Sequence, residues 1–469
     1  MVSLHNQIVV SLLLKNLNIY FFIFFCAFLF ISIYIKLTKY TLKNININII
    51  FIYLLLFFLM YLFKLYITCS TKNLDNIICY NTQLGDALIA LSLLTTFISL
   101  IFLTERFLLK TNFYLNYFYI FIICTIGMVS TSNCLVMFLY FEFIFLPSLL
   151  FVYQFGYSKK VIKTISFLLT WTFAGSLIVL FVICYLNIIH NSMDINVLIN
   201  IKYAFFEQNI IFFCLFLGFG IKIPVWPFHY WLTKVHVEAP TGFSIFLSGF
   251  LVKTAFYCLS NFFFIFYTKN LLKFWIIVII WGSIDASFRM WASLDIKRLI
   301  AFATVQEMNL ILLFFVLLLN YYTVLLNIFL LMHGVLSSFF FFLIDQIQKR
   351  FQTRNITSLS GLNSYTPLLS LAIWVSLLIF RGFPIFLKFI IEWELLFILL
   401  QNYNILGFLI FFTLSFFGVL GFSKVWFTVL YGQPYFLFFR IDVIKKDLIT
   451  GSLFFFVLFF LNFIFIFYG

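Results

Sequence analysis

The stretch FGIKIPVWPFHYWLTKVHVEAP, residues 219–240, places a charged residue, Lys222, at the end of a long apolar run. Two prolines, two tryptophans and two histidines follow within fourteen residues. A charge near the centre of a bilayer costs roughly 2.5–3.5 kcal/mol on insertion scales, so a membrane helix keeps one only where a partner or water receives it. The stretch therefore indicates a membrane-embedded charge that has a purpose.

The composition of the whole chain supports a membrane protein. Of its 469 residues, 65% are hydrophobic and 9% are charged, whereas about a quarter are charged in soluble domains. No polar stretch is long enough for a soluble domain. The net charge of +14 is spread over short loops, which argues against nucleic-acid binding and for membrane orientation. The 74 phenylalanines, with many Ile, Asn, Lys and Tyr, indicate AT-rich coding and an organelle-encoded gene.

Apolar runs of about 20 residues predict an all-α polytopic membrane protein with fourteen transmembrane helices. Pro240 and two following glycines predict a break in the eighth helix, and Arg381, Gly382 and Pro384 predict a break in the twelfth. The fourteen predicted spans are 17–36, 46–66, 84–104, 112–131, 133–155, 163–189, 207–229, 240–262, 272–293, 296–319, 321–345, 365–400, 403–431 and 450–468.

The distribution of Lys and Arg among the loops predicts the orientation. Loops that follow odd-numbered spans carry 17 basic residues and loops that follow even-numbered spans carry 5. Because positive loops stay on the cytoplasmic or matrix side, the odd loops are predicted on that side and both termini on the opposite one.

Four ionisable residues are predicted at membrane depth: Glu142, Lys222, Lys253 and Glu392. Their structural interpretation is that the lysines extend to an interface and the glutamates form static pairs. The functional interpretation is a proton or cation relay, since burial disfavours the charged forms of both residue types and lets them exchange protons near neutral pH. A movable Glu142–Lys222 pair would then act as a switch.

The remaining titratable groups leave alternatives open. Lys388 and Glu394 compete with Glu392 for its assignment. His333 lies in NIFLLMHGVLSSFFFF and is either a relay group or a hydrogen-bonded core histidine. His229 and His236 are interpreted as structural. We expect no cofactor and no metal in this chain, because the sequence contains no phosphate loop, dinucleotide fingerprint or clustered metal ligands; its work is then ion movement.

Several stretches resemble the chain 4 family of mitochondrial NADH–ubiquinone oxidoreductase, respiratory complex I. The resemblance runs from about residue 84 to 432 and follows the order of the predicted helices. The sister chains 5 and 2 of the complex fit less well. The stretches that carry the resemblance are KIPVWPFHYWLTKVHVEAPTGFSIFLSGFLVKTAFY, FEFIFLPSLLFVYQFG, LDIKRLIAFATVQEMN, MHGVLSS and GDALIALSLLTTF.

The resemblance implies a proton channel built from two inverted five-helix repeats. It divides the chain into N-terminal helices 1–3 (1–111), a first repeat (112–268), a second repeat (269–432) and a C-terminal loop and helix (433–469). It also implies that quinone reduction elsewhere in the complex supplies the energy, that the partners are the flanking antiporter-like chains and other membrane-arm subunits, with lipid around them, and that the location is the mitochondrial inner membrane, with both termini in the intermembrane space.

The same resemblance implies a role for each buried residue. Glu142 and Lys222 would form the coupling pair of the matrix-linked half-channel. Lys253 would relay protons towards the middle, His333 would lie on the path between, and Glu392 would serve the exit side.

The sequence departs from the family pattern at three places. Glu307 stands where a histidine is usual and is an additional relay acid or an outward-facing change. Thr233 replaces a proline, and RGFPIFLKFIIEW lacks the usual Gly- and Asn-rich pattern. Two other functions remain: a stand-alone or multisubunit cation/proton antiporter, and a purely structural spacer of the membrane arm.

Overall fold

The computed structural model describes residues 77–103, 111–156, 161–318 and 323–433, together with 442 and parts of 451–458. These residues form helices and connecting turns and no β-strand. Eight of their helices are long and apolar enough to cross a membrane. The described part of the chain is therefore an all-α, multi-pass membrane protein.

The helices are numbered here in chain order. A π-helical turn, Leu247–Leu251, joins α8 to α9, and a 3₁₀ turn, Ile356–Ser358, precedes α13. The bounds are α1 Ile77–Leu103, α2 Thr111–Ser130, α3 Cys134–Phe155, α4 Val161–His190, α5 Ile195–Leu198, α6 Phe205–Lys222, α7 Tyr230–Glu238, α8 Thr241–Phe246, α9 Val252–Phe266, α10 Lys269–Ala292, α11 Ile296–Leu318, α12 Thr323–Phe351, α13 Leu362–Tyr365, α14 Pro367–Phe380 and α15 Leu387–Tyr431.

Most of the predicted spans have a helical counterpart. Spans 3 to 6 and 9 to 11 each coincide with one helix, whose ends differ from the predicted ones by at most seven residues. Spans 1 and 2 lie outside the described residues, and span 14 lies largely outside them. The count of fourteen therefore stays a prediction.

The seventh span differs from its prediction. It was expected to run to residue 229, but α6 ends at Lys222 and α7 begins at Tyr230. Pro224 and Pro227 have no backbone N–H to continue the hydrogen-bond ladder, so the helix stops before them. The indole of Trp231 donates to the carbonyl oxygen of Ile221 over 2.9 Å. The break thus leaves Lys222 as the last residue of a helix.

The predicted break in the eighth span takes the form of a wider helical turn. The chain stays helical from α8 through the π-helical turn into α9, with α-region dihedral angles at both junctions. Single π turns inside α-helices are frequent at functional sites. Lys253 lies two residues beyond this turn.

The predicted break in the twelfth span is a Schellman motif. The N–H of Phe383 donates to the carbonyl of Leu378, and the N–H of Gly382 donates to that of Ile379. Gly382 has φ +64°, a left-handed conformation that only glycine adopts without strain. The motif ends α14 at Phe380, and the chain becomes helical again at Leu387.

The 45-residue helix α15 consists of two segments. A straight helix of that length would measure about 68 Å, roughly twice the hydrocarbon thickness of a bilayer. Asn404 interrupts it with φ 50° and ψ −131°. The chain folds back there, since a Cβ on Gly407 would overlap the carbonyl group of Leu399. The two segments correspond to the end of the predicted twelfth span and to the thirteenth.

Burial differs sharply among the helices. The apolar windows of Thr241–Phe263 and Leu325–Phe351 are fully buried, and that of Ile296–Leu317 is 94% buried, compared with 39% for α4 and 28% for α15. The outer helices expose large apolar side chains such as Phe173 and Phe181, as lipid-facing helices do. Three central helices are therefore enclosed by protein.

If Asn404 separates two spans, position 405 lies at a membrane surface opposite the 3₁₀ turn at 356–358. We expect Ile405→Cys and Thr357→Cys to react with a membrane-impermeant maleimide from opposite sides of sealed membranes. The measurement is the mass shift of the chain relative to the unsubstituted protein, which corrects for its own cysteines. Labelling of both positions from one side, or no labelling at 405, would show a single span.

Candidate functional site

The first ion pair joins α3 to the end of α6. The Nζ atom of Lys222 lies 2.5 Å from Oε1 of Glu142. The lysine side chain is 1% exposed and the glutamate side chain 31%. Phe141 and Phe145 place their rings 4.0 and 4.3 Å from Nζ, close enough for cation–π attraction. The buried lysine is thus paired with one carboxylate, which is itself partly exposed at the surface of the protein.

Lys253 is the most enclosed cation. Its residue is 0% exposed, and its ammonium group donates to the carbonyl oxygen of Ser248 within the π-helical turn. No carboxylate of the described residues lies within ion-pair distance of it, although the charge of Glu307 acts on it from farther away. The backbone carbonyl of the π-helical turn is therefore the group that holds the Lys253 ammonium among the described residues.

His333 lies midway along α12 and is 3% exposed. Neither ring nitrogen has a hydrogen-bond partner among the described residues. The charges of Lys253 and Lys388 both act on it. The neighbouring Gly334 allows close approach to the π-helical turn, because a Cβ there would lie 2.8 Å from the carbonyl oxygen of Gly249. His333 is therefore a buried histidine in a closely packed region, within electrostatic reach of two lysines.

A second ion pair, with a third charge beside it, joins α11 to the start of α15. The Nζ atom of Lys388 lies 2.6 Å from Oε1 of Glu307 and 3.5 Å from Oε1 of Glu392. It also donates to the carbonyl oxygen of Phe380, the last residue of α14. The side chains of Lys388 and Glu307 are 4% and 3% exposed, and that of Glu392 is 25% exposed.

A cavity of about 40 Å³ adjoins this cluster. A water molecule needs roughly 10–15 Å³ of such space and two to four polar partners. The polar residues that line the cavity are Gln306, Glu307, Arg381, Lys388, Glu392 and Ser415. Space and partners for water are both present beside the second ion pair.

The structure brings four of the sequence-predicted residues into two ion-pair groups and leaves Lys253 and His333 outside both. Glu142 and Lys222 contact each other as expected, and Glu392 contacts Lys388 rather than standing alone. Glu307 points inwards, which excludes the outward-facing alternative. The sequence presents Lys388 only as a competitor for Glu392, yet in the structure it is the centre of the second group. Its position in the apolar run FPIFLKFII was the available signal.

The other sequence interpretations have mixed outcomes. Glu394 does not line the cavity. His229 is buried, 3.5 Å from Asp285, and His236 is buried and stacked on Phe341. Within the described ranges, no three His, Cys, Asp or Glu side chains converge as metal ligands do.

This fold, with ion pairs enclosed by apolar helices, defines a multi-pass membrane protein of the ion-translocating type. Residues 131–418 match the family model described as NADH:quinone oxidoreductase/Mrp antiporter, transmembrane. NADH-ubiquinone oxidoreductase chain 4 of Paramecium tetraurelia is 36% identical over 354 residues, which cover 75% of this chain and 74% of the relative. The chain belongs to this family and, within it, to the chain 4 group of NADH–ubiquinone oxidoreductase.

More distant relatives are also subunits of NADH oxidoreductases. Chain 4 of Acanthamoeba castellanii is 29% identical over 335 residues, 68% of this chain and 65% of the relative. NADH-quinone oxidoreductase subunit M of Rickettsia conorii is 27% identical over 299 residues, 62% of this chain and 60% of the relative.

Solved structures share the fold. A chain of respiratory complex I from Thermus thermophilus superposes with a TM-score of 0.69 at 19% identity, over 82% of this chain and 80% of that one. A chain of the archaeal membrane-bound sulfane sulfur reductase reaches 0.75 at 16% identity, over 93% and 94%. A chain of the Mrp complex from Dietzia sp. reaches 0.69 at 17% identity, over 79% and 41%.

The unequal exposure of the first ion pair has a measurable consequence. Glu142→Gln leaves an unpaired ammonium in a buried site, whereas Lys222→Met leaves a carboxylate that is 31% exposed. Breaking a buried pair costs about 3–5 kcal/mol, so we expect the larger loss of thermal stability in Glu142→Gln. The measurement is the melting temperature of the purified complex that contains each variant.

The double variant Glu142→Gln/Lys222→Met serves as the control in that experiment. Because it removes both charges together, it should be more stable than Glu142→Gln alone. Equal losses from the two single variants, with simple additivity in the double variant, would contradict a coupled pair.

Proposed function

We propose that this chain translocates protons across the mitochondrial inner membrane as a membrane-arm subunit of respiratory complex I. NADH-to-ubiquinone electron transfer in other subunits drives the translocation. The observation that carries the proposal is the Glu142–Lys222 pair at the break between α6 and α7, in a chain of the chain 4 group. Because Lys222 is the last residue of α6, no following helical turn fixes its backbone relative to the carboxylate.

The proposed path runs from this pair through the enclosed helices. When Glu142 lies close, its charge holds the proton on Lys222; when it moves away, the proton leaves. Lys253 on α9 receives it and passes it by way of His333 towards the cluster of Glu307 and Glu392. The burial of His333 and its two ring nitrogens, which have no hydrogen-bond partner among the described residues, support its place on this path.

The proposal also includes the number, arrangement and orientation of the helices that the sequence predicts. Fourteen helices would include two inverted five-helix repeats, 112–268 and 269–432, after N-terminal helices in 1–111 and before a C-terminal helix in 433–469. Both termini would face the intermembrane space, on the side opposite the basic loops. The chain would be organelle-encoded and would contain no cofactor of its own. Flanking antiporter-like subunits and lipid would cover its exposed apolar faces.

A native gel of mildly solubilised membranes tests the assembly. We expect peptides of this chain to co-migrate with NADH dehydrogenase activity in a very large complex, because its family members are named as subunits of that enzyme. Migration alone or with small membrane partners would identify a stand-alone antiporter. Sodium-dependent proton flux in vesicles would then be the assay that characterises it.

Lys222→Ala tests the relay itself. We expect it to abolish most coupled reduction of natural quinone and the associated proton pumping, because the switch loses its proton carrier. NADH oxidation by an artificial acceptor, which bypasses the membrane arm, should remain unchanged. The two rates are measured on the same purified complex.

The matched control is Lys234→Ala, which removes an exposed lysine from the adjacent helix α7, where it lies over the Phe167 ring. It should pump like the unsubstituted complex. Pumping that survives in an assembled Lys222→Ala complex would exclude Lys222 from the relay.

A further inference from the structure

Lys388 is a buried cation that the proposed relay leaves without a role. It is the only side chain of the cluster that contacts both carboxylates, at 2.6 Å from Glu307 and 3.5 Å from Glu392 among the described residues. The second distance is 0.9 Å longer than the first. A small movement of the flexible lysine side chain therefore exchanges one partner for the other.

The charges of the cluster balance. The cluster contains two carboxylates, Glu307 and Glu392, and two cations. Lys388 pairs with Glu307, and the charge of Arg381 interacts with both carboxylates. A guanidinium group does not lose its proton in proteins. Of the two cations, only Lys388 can therefore release one.

The two carboxylates have different surroundings. Glu307 is almost fully buried on the enclosed helix α11, and its charge acts on Lys253. Glu392 is 25% exposed at the start of α15. The cavity beside them contains two buried polar atoms, Oε1 of Gln306 and Nε of Arg381, that have no hydrogen-bond partner among the described residues. One acid thus faces the interior of the chain and the other its more accessible side.

The break in the twelfth span holds the lysine between these acids. The Schellman motif ends α14 at Phe380, so the carbonyl oxygen of Phe380 accepts no hydrogen bond from an N–H group of the helix. Lys388 donates to this oxygen and lies 4.2 Å from the centre of the Phe380 ring. The negative end of the helix dipole favours an ammonium group there.

We propose that Lys388 is a proton-transfer residue that passes protons from Glu307 to Glu392, a role that rests on the proposed function. In the first step the Lys388 ammonium gives a proton to the Glu392 carboxylate, leaving a neutral amine and a carboxylic acid. In the second step Glu307, after accepting a proton from the His333 side of the relay, passes that proton to the Lys388 amine and is again a carboxylate. Glu392 then releases its proton to the cavity, and the cluster returns to its starting charge.

Lys388→Arg separates proton transfer from a static ion pair. Arginine keeps the positive charge and the hydrogen bonds to both acids, but it does not release a proton. A positioned proton-transfer group contributes about 10²–10⁴-fold to rate, so we expect proton pumping with natural quinone to fall at least about tenfold. NADH oxidation by an artificial acceptor should stay unchanged. Lys424→Arg, at an exposed lysine over the Trp291 ring, is the matched control.

The double variant Glu307→Gln/Lys388→Met is the second test, for the case in which the larger arginine side chain prevents the Lys388→Arg protein from folding. It removes one charge of each sign and leaves Glu392 with Arg381, so the cluster stays neutral and the complex should assemble. We expect the same loss of pumping. Normal pumping by either assembled variant would overturn the proposal, and failure of both to assemble would assign the cluster to the fold alone and overturn it as well.

Lys222→Ala, measured beside these variants, distinguishes the two proposals. Loss of pumping in Lys222→Ala but not in Lys388→Arg would reject only the role of Lys388. Normal pumping in all of them would reject the relay through this chain.

Discussion

The cost of taking an ammonium group out of water governs the interior of this protein. The described residues contain four buried lysines: Lys222, Lys253, Lys297 and Lys388. An α-helix uses its carbonyl groups internally, except at its end or where it is interrupted. Lys253 donates to the π-helical turn, Lys297 donates to Ala239, the residue directly after α7, and Lys388 donates to Phe380, the last residue of α14. Lys222 is itself the last residue of a helix.

Helix interruptions and buried charges are therefore one feature of the fold. The prolines after Lys222, the π-helical turn before Lys253 and Gly382 before Lys388 each place polar backbone at a depth where lipid could not solvate it. The enclosing outer helices make this tolerable, because they separate α9, α11 and α12 from lipid. A charge on these central helices has protein groups around it instead of hydrocarbon.

The two lysine–glutamate pairs have a common plan. In each, a lysine at a helix interruption meets a carboxylate from a different helix, with a phenylalanine ring against the ammonium group. One carboxylate of each group is partly exposed, Glu142 in the first and Glu392 in the second. This chain of the NADH:quinone oxidoreductase/Mrp antiporter family thus carries two buried lysine–glutamate pairs of similar construction, far apart in the sequence.

The sequence alone determined what depends on local pattern. Apolar run length predicted spans 3 to 13, and charges inside those runs identified Glu142, Lys222, Lys253 and Glu392, because each signal lies within about 20 residues. The early end of α6 was missed although its prolines were visible, since apolar residues continue past them. Only the tertiary structure decided that Glu307 and Lys388, 81 residues apart, form a pair. Which faces of two helices meet depends on their rotation and packing, and hydropathy along one chain does not contain that information.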